Sequence, residues 1–179
     1  MDGLSGERVR LRLWRPEDRE PWAKLNSNTN VMRHFPGTLS RGESDALADR
    51  IEDHFTEHGF GLWALEVPGA FDFGGVVGLK QVPFEAHFTP AIEVGWRLGP
   101  WAQGSGYCTE AARLALDFGF EELGLEEIVS FTVPANRSSW RVMEEIGMTR
   151  DPSDDFEHPS LPIGHALRHH VLYRIHSVD

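Results

Sequence analysis

A glycine-rich turn, GPWAQGSG from Gly99 to Gly106, leads into an amphipathic segment that continues to Phe120. Gly104 and Gly106 carry no side chain, so the backbone N–H groups around them are open where a helix is predicted to begin. The first turn of a helix leaves its N–H groups without partners, and the positive end of the helix dipole adds to their attraction for an anion. The turn therefore predicts a bound phosphate group.

Two common phosphate motifs do not fit this turn. Gly99 and Gly104 have the spacing of a P-loop, but Ser105 stands where that motif needs its phosphate-binding lysine. A dinucleotide fingerprint requires G-x-G-x-x-G near the start of a βαβ unit, whereas Gly106 is followed by Thr109 and comes after strands that look antiparallel. An NTPase and a Rossmann dinucleotide fold are both disfavoured.

Three further residues could take part in chemistry. Glu93 lies in the predicted strand AIEVGWRL and is a candidate general base, although a structural ion pair or a solvent-facing position explains it equally well. Asn136 and Ser139 are three residues apart at the start of a predicted helix, so both can face the same side. Asn136 can equally be a helix N-cap, and a serine in a first helical turn needs no function.

Two other patterns resemble reactive sites. Cys108 is the single cysteine and lies at a predicted helix N-terminus, where a thiol pKa is lowered, but no histidine is nearby in sequence to activate it. The segment HFTEH, from His54 to His58, has the H-x-x-E-H spacing of inverted zinc proteases. No later helix clearly supplies the remaining ligand, so a solvated helix face is favoured over a metal site.

The elements that must position these residues alternate between strands and helices. Strands are predicted at 9–14, 61–67, 73–79, 91–98, 127–133 and 170–175, and helices at 15–18 onward, 40–59, 101–120 and 137–146. A capping box of Ser40 and Glu43 begins the second helix, and Gly59 ends it. Gly95 predicts a bulge or a close backbone approach in its strand, and residues 151–168 predict a loop. The chain is expected to form one mixed α/β domain over residues 1–179.

The composition is that of an ordinary globular protein, with 40% hydrophobic and 25% charged residues. No apolar run approaches the roughly 18 residues of a membrane span and the N-terminus lacks a signal-peptide core, so a cytoplasmic location is expected, without a membrane partner. The single cysteine agrees with a reducing compartment. A net charge of −11 argues against nucleic acid as a partner and favours cationic ligands such as amines.

Several of these motifs resemble one family. The run from Gln103 to Cys108, QGSGYC, resembles the Q/R-x-x-G-x-G/A acyl-CoA signature of the GNAT acetyltransferases, and IEVGWRLGPWAQGSGYCTEA is similar to their RimJ/RimL-type branch. ANRSSWRVMEEIGM resembles a later segment of the same branch, and the resemblance extends from VRLRLWRPED to HVLYRI. Two positions depart from it: Cys108 replaces a small Gly or Ala, and Met143 stands where many members have a catalytic Tyr.

The resemblance implies a GNAT fold of mixed α+β type, with a largely antiparallel sheet that is splayed between the fourth and fifth strands and flanked by helices. It implies acetyl transfer from acetyl-CoA, without a metal, to a primary amine by direct attack in a ternary complex. A protein N-terminus, an antibiotic, a polyamine and an amino acid all remain open as the acceptor. Dimers are common among similar proteins, and the sequence leaves the oligomeric state open.

The resemblance also implies roles for individual residues. Glu93 is expected to act as the general base and Ser139 to protonate the leaving thiolate, with Tyr173 as a lesser candidate for that proton. The pantetheine arm is expected along the strand at residues 96–98, and the diphosphate is expected on the backbone N–H groups of residues 103–109. The expected coenzyme A contacts are Trp96, Arg97, Leu98, Gln103, Gly104, Ser105, Gly106, Tyr107, Cys108, Thr109, Asn136 and Ser139.

The acceptor pocket is expected between VMRHF (31–35) and PFEAHFTP (83–90), with His34, Phe35, Phe84 and Trp96 as its walls. The alternative is that these aromatic residues belong to the core. Two other functions are weighed against the transferase: a coenzyme A-binding sensor or partner module without catalysis, and a zinc hydrolase that uses His54 and His58.

Overall fold

The computed structural model describes residues 3–177, which form one nine-stranded sheet with helices on both faces. The strands are β1 (Leu4–Ser5), β2 (Arg10–Arg12), β3 (Leu62–Glu66), β4 (Gly75–Gln81), β5 (Ile92–Leu98), β6 (Glu127–Thr132), β7 (Thr149–Arg150), β8 (Phe156–Glu157) and β9 (His169–His176). The helices are α1 (Arg19–Ser27), α2 (Thr29–Met32), α3 (Arg41–His58), α4 (Tyr107–Glu121) and α5 (Arg137–Glu145).

The sheet follows the order β1-β2-β3-β4-β5-β6-β9-β7, and β8 pairs with β9. Every pair is antiparallel except β5 with β6, which is parallel. That parallel pair is in register only at Glu93 and Val129, so the two strands separate beyond this point. The predicted fold, with a sheet splayed between the fourth and fifth predicted strands, is confirmed.

Gly95 does not form the predicted bulge. The register of β4 with β5 runs unbroken through it, and Gly95 lies opposite Gly78. The close backbone approach occurs at Gly78 instead, where an added Cβ would lie 2.1 Å from the carbonyl oxygen of Gly61. At Gly95 an added Cβ would meet only the carboxyl group of Glu93, 3.5 Å away. Gly95 therefore leaves open space beside that carboxylate.

Local sequence signals set the limits of the long helices. Ser40 and Glu43 form the predicted capping box at the start of α3, and Gly59 ends the helix with φ of 75°. The predicted loop 151–168 is partly wrong, because it contains a 3₁₀ turn at Pro152–Asp154 and the strand β8. The first predicted helix is longer than expected: a 3₁₀ turn at Pro16–Asp18 continues directly into α1.

The core lies on both faces of the sheet. On one face, Val94 and Leu98 of β5 pack in the same cluster as the buried alanines of α4. On the other face, Trp22 and Leu25 of α1 and Ile51 of α3 pack beneath β3 and β4. Side chains alternate along a strand, so Glu93, Gly95 and Arg97 face the α1 and α3 side. Among residues 3–177, no helix is long and apolar enough to cross a membrane.

Candidate active site

Two cavities meet where β5 and β6 separate. The first, here the glycine-turn cleft, has a volume of about 520 Å³ and runs from the turn before α4 to α5. The second, here the α3 cavity, has a volume of about 550 Å³ and is bounded by α3, β4, β5, β6 and β9. The residues that line both are His34, Phe35, Trp96, Arg97, Asn136 and Ser139. A ligand in one cavity can therefore reach a ligand in the other.

The glycine turn presents backbone donors to the cleft. Gly104 and Gly106 have φ of 80° and 78°, a conformation that other residues adopt only with strain. Within the described chain, the N–H groups from Gly104 to Thr109 donate to no protein acceptor. Arg8 holds the turn from outside by donating from Nη1 to the carbonyl oxygen of Ser105 at 3.0 Å. This arrangement fits the diphosphate of a nucleotide-like ligand.

Most residues predicted to contact coenzyme A line the glycine-turn cleft, and two do not. Gln103, Cys108 and Thr109 lie on its wall together with the two glycines. Ser105 is exposed outside the wall. Tyr107 packs its ring against Phe71, with the ring centroids 5.9 Å apart. These two residues could contribute to the cleft through their backbone N–H groups.

Cys108 does not have the properties of a nucleophile. Burial raises the pKa of its thiol, and the carboxylate of Glu145 raises it further. The thiol therefore stays protonated at neutral pH, in contrast to the lowered pKa expected for a cysteine at a helix N-terminus. This observation argues against a covalent acyl-enzyme.

Ser139 has its hydroxyl group fixed by two donors. Its Oγ accepts hydrogen bonds from Trp96 Nε1 at 3.2 Å and from Asn136 Nδ2 at 3.0 Å. A serine hydroxyl has two acceptor positions and one proton to donate, and both acceptor positions are occupied here. The hydroxyl proton is therefore left for a group at the junction of the two cavities.

Asn136 is both a helix cap and part of this arrangement. Its Oδ1 accepts from the backbone N–H of Ser139, which caps α5, so the structural alternative for Asn136 is observed. Its Nδ2 donates to Thr132 Oγ1 and to Ser139 Oγ, both at 3.0 Å. The cap thus also orients the serine hydroxyl.

Glu93 lies on the wall of the α3 cavity and is only 7% exposed. Lys80 faces it across the β4–β5 ladder, with Nζ 3.2 Å from Oε2. Burial raises the pKa of the Glu93 carboxyl group, although the charge of Lys80 acts in the opposite direction. A carboxyl group with a raised pKa exchanges protons closer to neutral pH, as a general base must.

Tyr173 and Met143 do not offer a proton to either cavity. Tyr173 is 3% exposed, lines neither cavity and donates its hydroxyl to Glu144 Oε1 at 3.0 Å. Burial raises the pKa of Tyr173 to about 12. Met143 does line the α3 cavity, but its thioether has no proton.

Three of the four residues predicted for the acceptor wall line the α3 cavity, and Phe84 does not. His34, Phe35 and Trp96 line the α3 cavity. Phe84 instead packs behind this wall, with its ring centroid 5.7 Å from that of Phe131. Sequence reasoning missed several polar lining residues: Arg50, Lys80, His158 and His170. Arg50 could have been found, because Leu47, Arg50, Ile51 and His54 share one helical face.

In the HFTEH segment, which has the spacing of a zinc site, His54 forms hydrogen bonds to the backbone. His54 Nδ1 lies 2.7 Å from the carbonyl oxygen of Phe60, and its Nε2 accepts from the N–H of Gln81 at 3.3 Å. Both ring nitrogens are therefore occupied. Within residues 3–177, no group of three or more His, Cys, Asp or Glu is arranged to hold a metal ion. The hydrolase alternative has no support in this geometry.

Comparison with known proteins gives a consistent result. The family model described as "Acetyltransferase (GNAT) domain" matches residues 8–149. A Bacillus subtilis protein named "Uncharacterized N-acetyltransferase YnaD" is 31% identical over 150 residues, which covers 83% of each chain. Spermidine N(1)-acetyltransferase of Escherichia coli K12 is 26% identical over 145 residues, which covers 81% of this chain and 75% of the relative.

Solved structures show the same fold. An acetyltransferase (GNAT family) from Bacillus anthracis superposes with a TM-score of 0.80 at 26% identity, covering 97% of this chain and 98% of the other. RimJ of Mycobacterium smegmatis, in complex with CoA-disulfide, gives a TM-score of 0.75 at 19% identity, covering 98% and 88% of the two chains. At that identity the second likeness concerns the fold alone.

Proposed function

The chain belongs to the GNAT acetyltransferase family and transfers an acetyl group from acetyl-CoA to an amine, and we propose that a primary amine attacks the thioester directly in a ternary complex. The observation that carries this proposal is the meeting of two cavities at Trp96 and Ser139. Donor and acceptor can enter from separate sides and meet there. A direct reaction needs both substrates bound together and no covalent enzyme intermediate.

The glycine-turn cleft fits coenzyme A. The free N–H groups from Gly104 to Thr109 suit its diphosphate. Beyond Glu93, the edge of β5 that faces β6 has no strand partner among residues 3–177, so its backbone groups are open to the amides of the pantetheine arm. Arg33 and Arg141 line the same cleft and add positive charge for the phosphates.

Glu93 is the proposed base for the amine. Near neutral pH, removing a proton from a lysine-like amine with a pKa of about 10.4 costs about 4 kcal/mol, whereas an α-amine with a pKa of about 8 costs under about 1 kcal/mol. The C–N bond then forms, the C–S bond breaks, and the amine proton passes to Glu93 directly or through water. The need for this base therefore grows with the basicity of the acceptor.

Ser139 is the proposed donor to the leaving sulfur. Trp96 and Asn136 fill both acceptor positions of its hydroxyl oxygen, so the proton points to the cavity junction without reorganisation. A hydrogen bond to the developing thiolate stabilises charge that is absent from the thioester. Met143 stands where many members of the family have a tyrosine, so that position offers no second proton donor to the sulfur.

The similarity of two motifs to the RimJ/RimL-type branch extends the proposal to protein N-termini as one acceptor class. The E. coli relative is named for spermidine, which makes a polyamine a second class. Both carry primary amines, and neither name transfers directly to this chain. The acceptor class must therefore be argued from the α3 cavity itself.

Release of free thiol from acetyl-CoA, measured with a panel of amines and checked by the mass of the product, tests the function. We expect turnover with at least one amine. Binding of acetyl-CoA by calorimetry without turnover across a broad panel supports the sensor alternative. Absence of any coenzyme A binding contradicts the proposal altogether.

A further inference from the structure

We propose that the acceptor of this transferase is a small amine that also carries a carboxylate, as an amino acid does, and that Arg97 binds this carboxylate in the α3 cavity. The inference rests on the proposed function, because it names the substrate class of the same site. It begins from one side chain whose surroundings the acetyl-transfer chemistry does not explain.

Arg97 is a partly buried cation without a carboxylate partner in the described chain. Within residues 3–177, the one hydrogen bond of its guanidinium runs from Nη1 to Asn26 Oδ1 at 2.7 Å, and its Nε is shielded from solvent without any partner. Desolvation lowers the pKa of the guanidinium to about 10, so it remains charged at neutral pH. Shielding a charge from water is costly unless the charge is paired, which favours a ligand that supplies the missing anion.

The surroundings of Arg97 fix its position. Asn26 and Ser44 are both fully buried, and Asn26 Nδ2 donates to Ser44 Oγ at 2.9 Å, so Oδ1 is the atom turned toward Arg97. The guanidinium carbon lies 4.2 Å from the ring centroid of Phe35 and 5.3 Å from that of Trp22. The planar group thereby packs against two aromatic rings, and the terminal N–H groups that Asn26 does not engage are the ones free to bind a ligand. A guanidinium fork of this kind matches the two oxygens of a carboxylate.

The charge of the α3 cavity is opposite to that of the chain. The whole sequence has a net charge of −11, yet the charged residues lining this cavity are Arg50, Lys80, Arg97 and only one acid, Glu93. Glu93 is already paired with Lys80. Burial lowers the pKa values of the histidines His34, His54, His158 and His170, so they add little charge at neutral pH. A polyamine would meet charges of its own sign here, whereas an anionic group is attracted.

The order of residues along β5 indicates how the acceptor is oriented in the α3 cavity. Glu93, Gly95 and Arg97 lie on one face, and successive residues of one face are about 6.6 Å apart along a strand. Gly95 leaves open space beside Glu93. An amine placed over Gly95 has the proposed base on one side and the guanidinium on the other. The carboxylate of the same small molecule can then lie toward Arg97.

The acyl group of the donor is a second source of a carboxylate, because Arg97 lines the glycine-turn cleft as well. A dicarboxylic acyl-CoA would bring such a group. We assign the carboxylate to the acceptor because Asn26, Trp22 and Phe35 hold the guanidinium on the face of the sheet that α1 and α3 cover. The experiment separates the two sources.

The test compares amino acids with their carboxamides, using leucine, methionine and phenylalanine as acid and amide pairs, with acetyl-CoA as donor. The readout is the ratio of kcat/KM for the acid to that for the amide. An amine beside a carboxamide is less basic than one beside a carboxylate, so basicity alone favours the amide. We expect the wild-type protein to prefer the acid by about tenfold or more for at least one pair.

Arg97→Met should lower this ratio at least tenfold, and Arg97→Lys, which keeps the charge but not the fork, should lower it less. Partial misfolding reduces the rates with acid and amide together and cancels in the ratio. Arg50→Met is the matched control, because it removes another cation of the cavity and should change the ratio much less. Equal use of acid and amide by the wild-type protein, or a ratio that Arg97→Met leaves unchanged, overturns the inference.

Two further measurements keep this result separate from the proposed function. If no amine is acetylated, calorimetry of the same acids and amides with the coenzyme A-loaded protein decides: tighter binding of an acid supports the carboxylate site although the transferase proposal has failed. Equal binding contradicts the inference. With succinyl-CoA as donor, a preference over acetyl-CoA that Arg97→Met abolishes places the carboxylate on the donor and also overturns the inference.

Discussion

The glycine-turn cleft and the α3 cavity meet at the same residues but are built from different parts of the chain. The cleft presents mainly backbone groups, the N–H donors from Gly104 to Thr109 and the open edge of β5. The α3 cavity presents side chains, with Glu93, Lys80 and Arg97 as its charged centre. Backbone N–H and C=O groups are chemically the same whatever residue carries them, whereas side chains change with the residue. The donor side can therefore be shared by a family while the acceptor side sets what each member modifies.

The largest expected effect concerns the α3 cavity. Glu93→Gln should lower kcat on the order of 1000-fold for a strongly basic amine and much less for a weakly basic one, because only the former needs a base. The measurement is kcat/KM against pH with amines of graded pKa. The wild-type acid limb should lie above the usual range of a glutamic acid, because burial raises the Glu93 pKa. An unchanged pH profile in Glu93→Gln removes this residue from the mechanism.

A smaller effect is expected where the two cavities meet. Ser139→Ala removes the hydroxyl proton that Trp96 and Asn136 orient, and should lower kcat on the order of 100-fold with little change in the Kd of acetyl-CoA. Ser138→Ala is the neighbouring control, since its hydroxyl donates to Asn136 Oδ1 rather than toward the junction. A loss of acetyl-CoA affinity with kcat retained would make Ser139 a binding residue instead.

A substitution in the glycine-turn cleft should instead weaken the binding of acetyl-CoA. Gly104→Ala forces a side chain into a left-handed conformation, at a cost of roughly 1–2 kcal/mol, although an added Cβ meets nothing within 4 Å. The turn should relax, and the Kd of acetyl-CoA should rise about tenfold with the acid-to-amide preference retained. A changed acid-to-amide preference in Gly104→Ala, with the Kd of acetyl-CoA unchanged, would contradict the division between the two cavities.

The same division explains what the sequence could predict. The glycine turn and the Asn136 and Ser139 pair depend on short segments, and local signals identified them. The splayed strands were expected from the family resemblance. The α3 cavity depends on α1, α3, β5 and β9 coming together, which no local signal records. Arg97 was therefore predicted only as a coenzyme A contact, and Phe84 was predicted to line a wall behind which it packs.

One further prediction failed and another was too coarse. The expected bulge at Gly95 is absent, and the register of β4 with β5 runs unbroken through it. The net charge of −11 favoured cationic ligands such as amines, in agreement with acetyl transfer to an amine, but it sums over the whole surface, and three of the four Arg, Lys, Asp or Glu residues that line the α3 cavity are cations. Total charge describes the field far from the protein rather than the lining of one site.

The pairing of Lys80 with Glu93 provides the finest test, because it moves one pKa without removing either proposed catalytic group. Lys80 lowers the Glu93 pKa against the effect of burial, so Lys80→Met should shift the acid limb of kcat/KM to higher pH.

The same change in the Glu93 pKa should alter how the free energy of unfolding depends on pH. A carboxyl group whose folded pKa is raised binds its proton more tightly in the folded state, so the free energy of unfolding falls as pH rises from the unfolded pKa of about 4.3 to the folded one. Thermal melts between these limits should show a steeper fall in Lys80→Met than in the wild type and a shallower one in Glu93→Gln. An acid limb that moves to lower pH in Lys80→Met would mean that a group other than Glu93 controls the reaction.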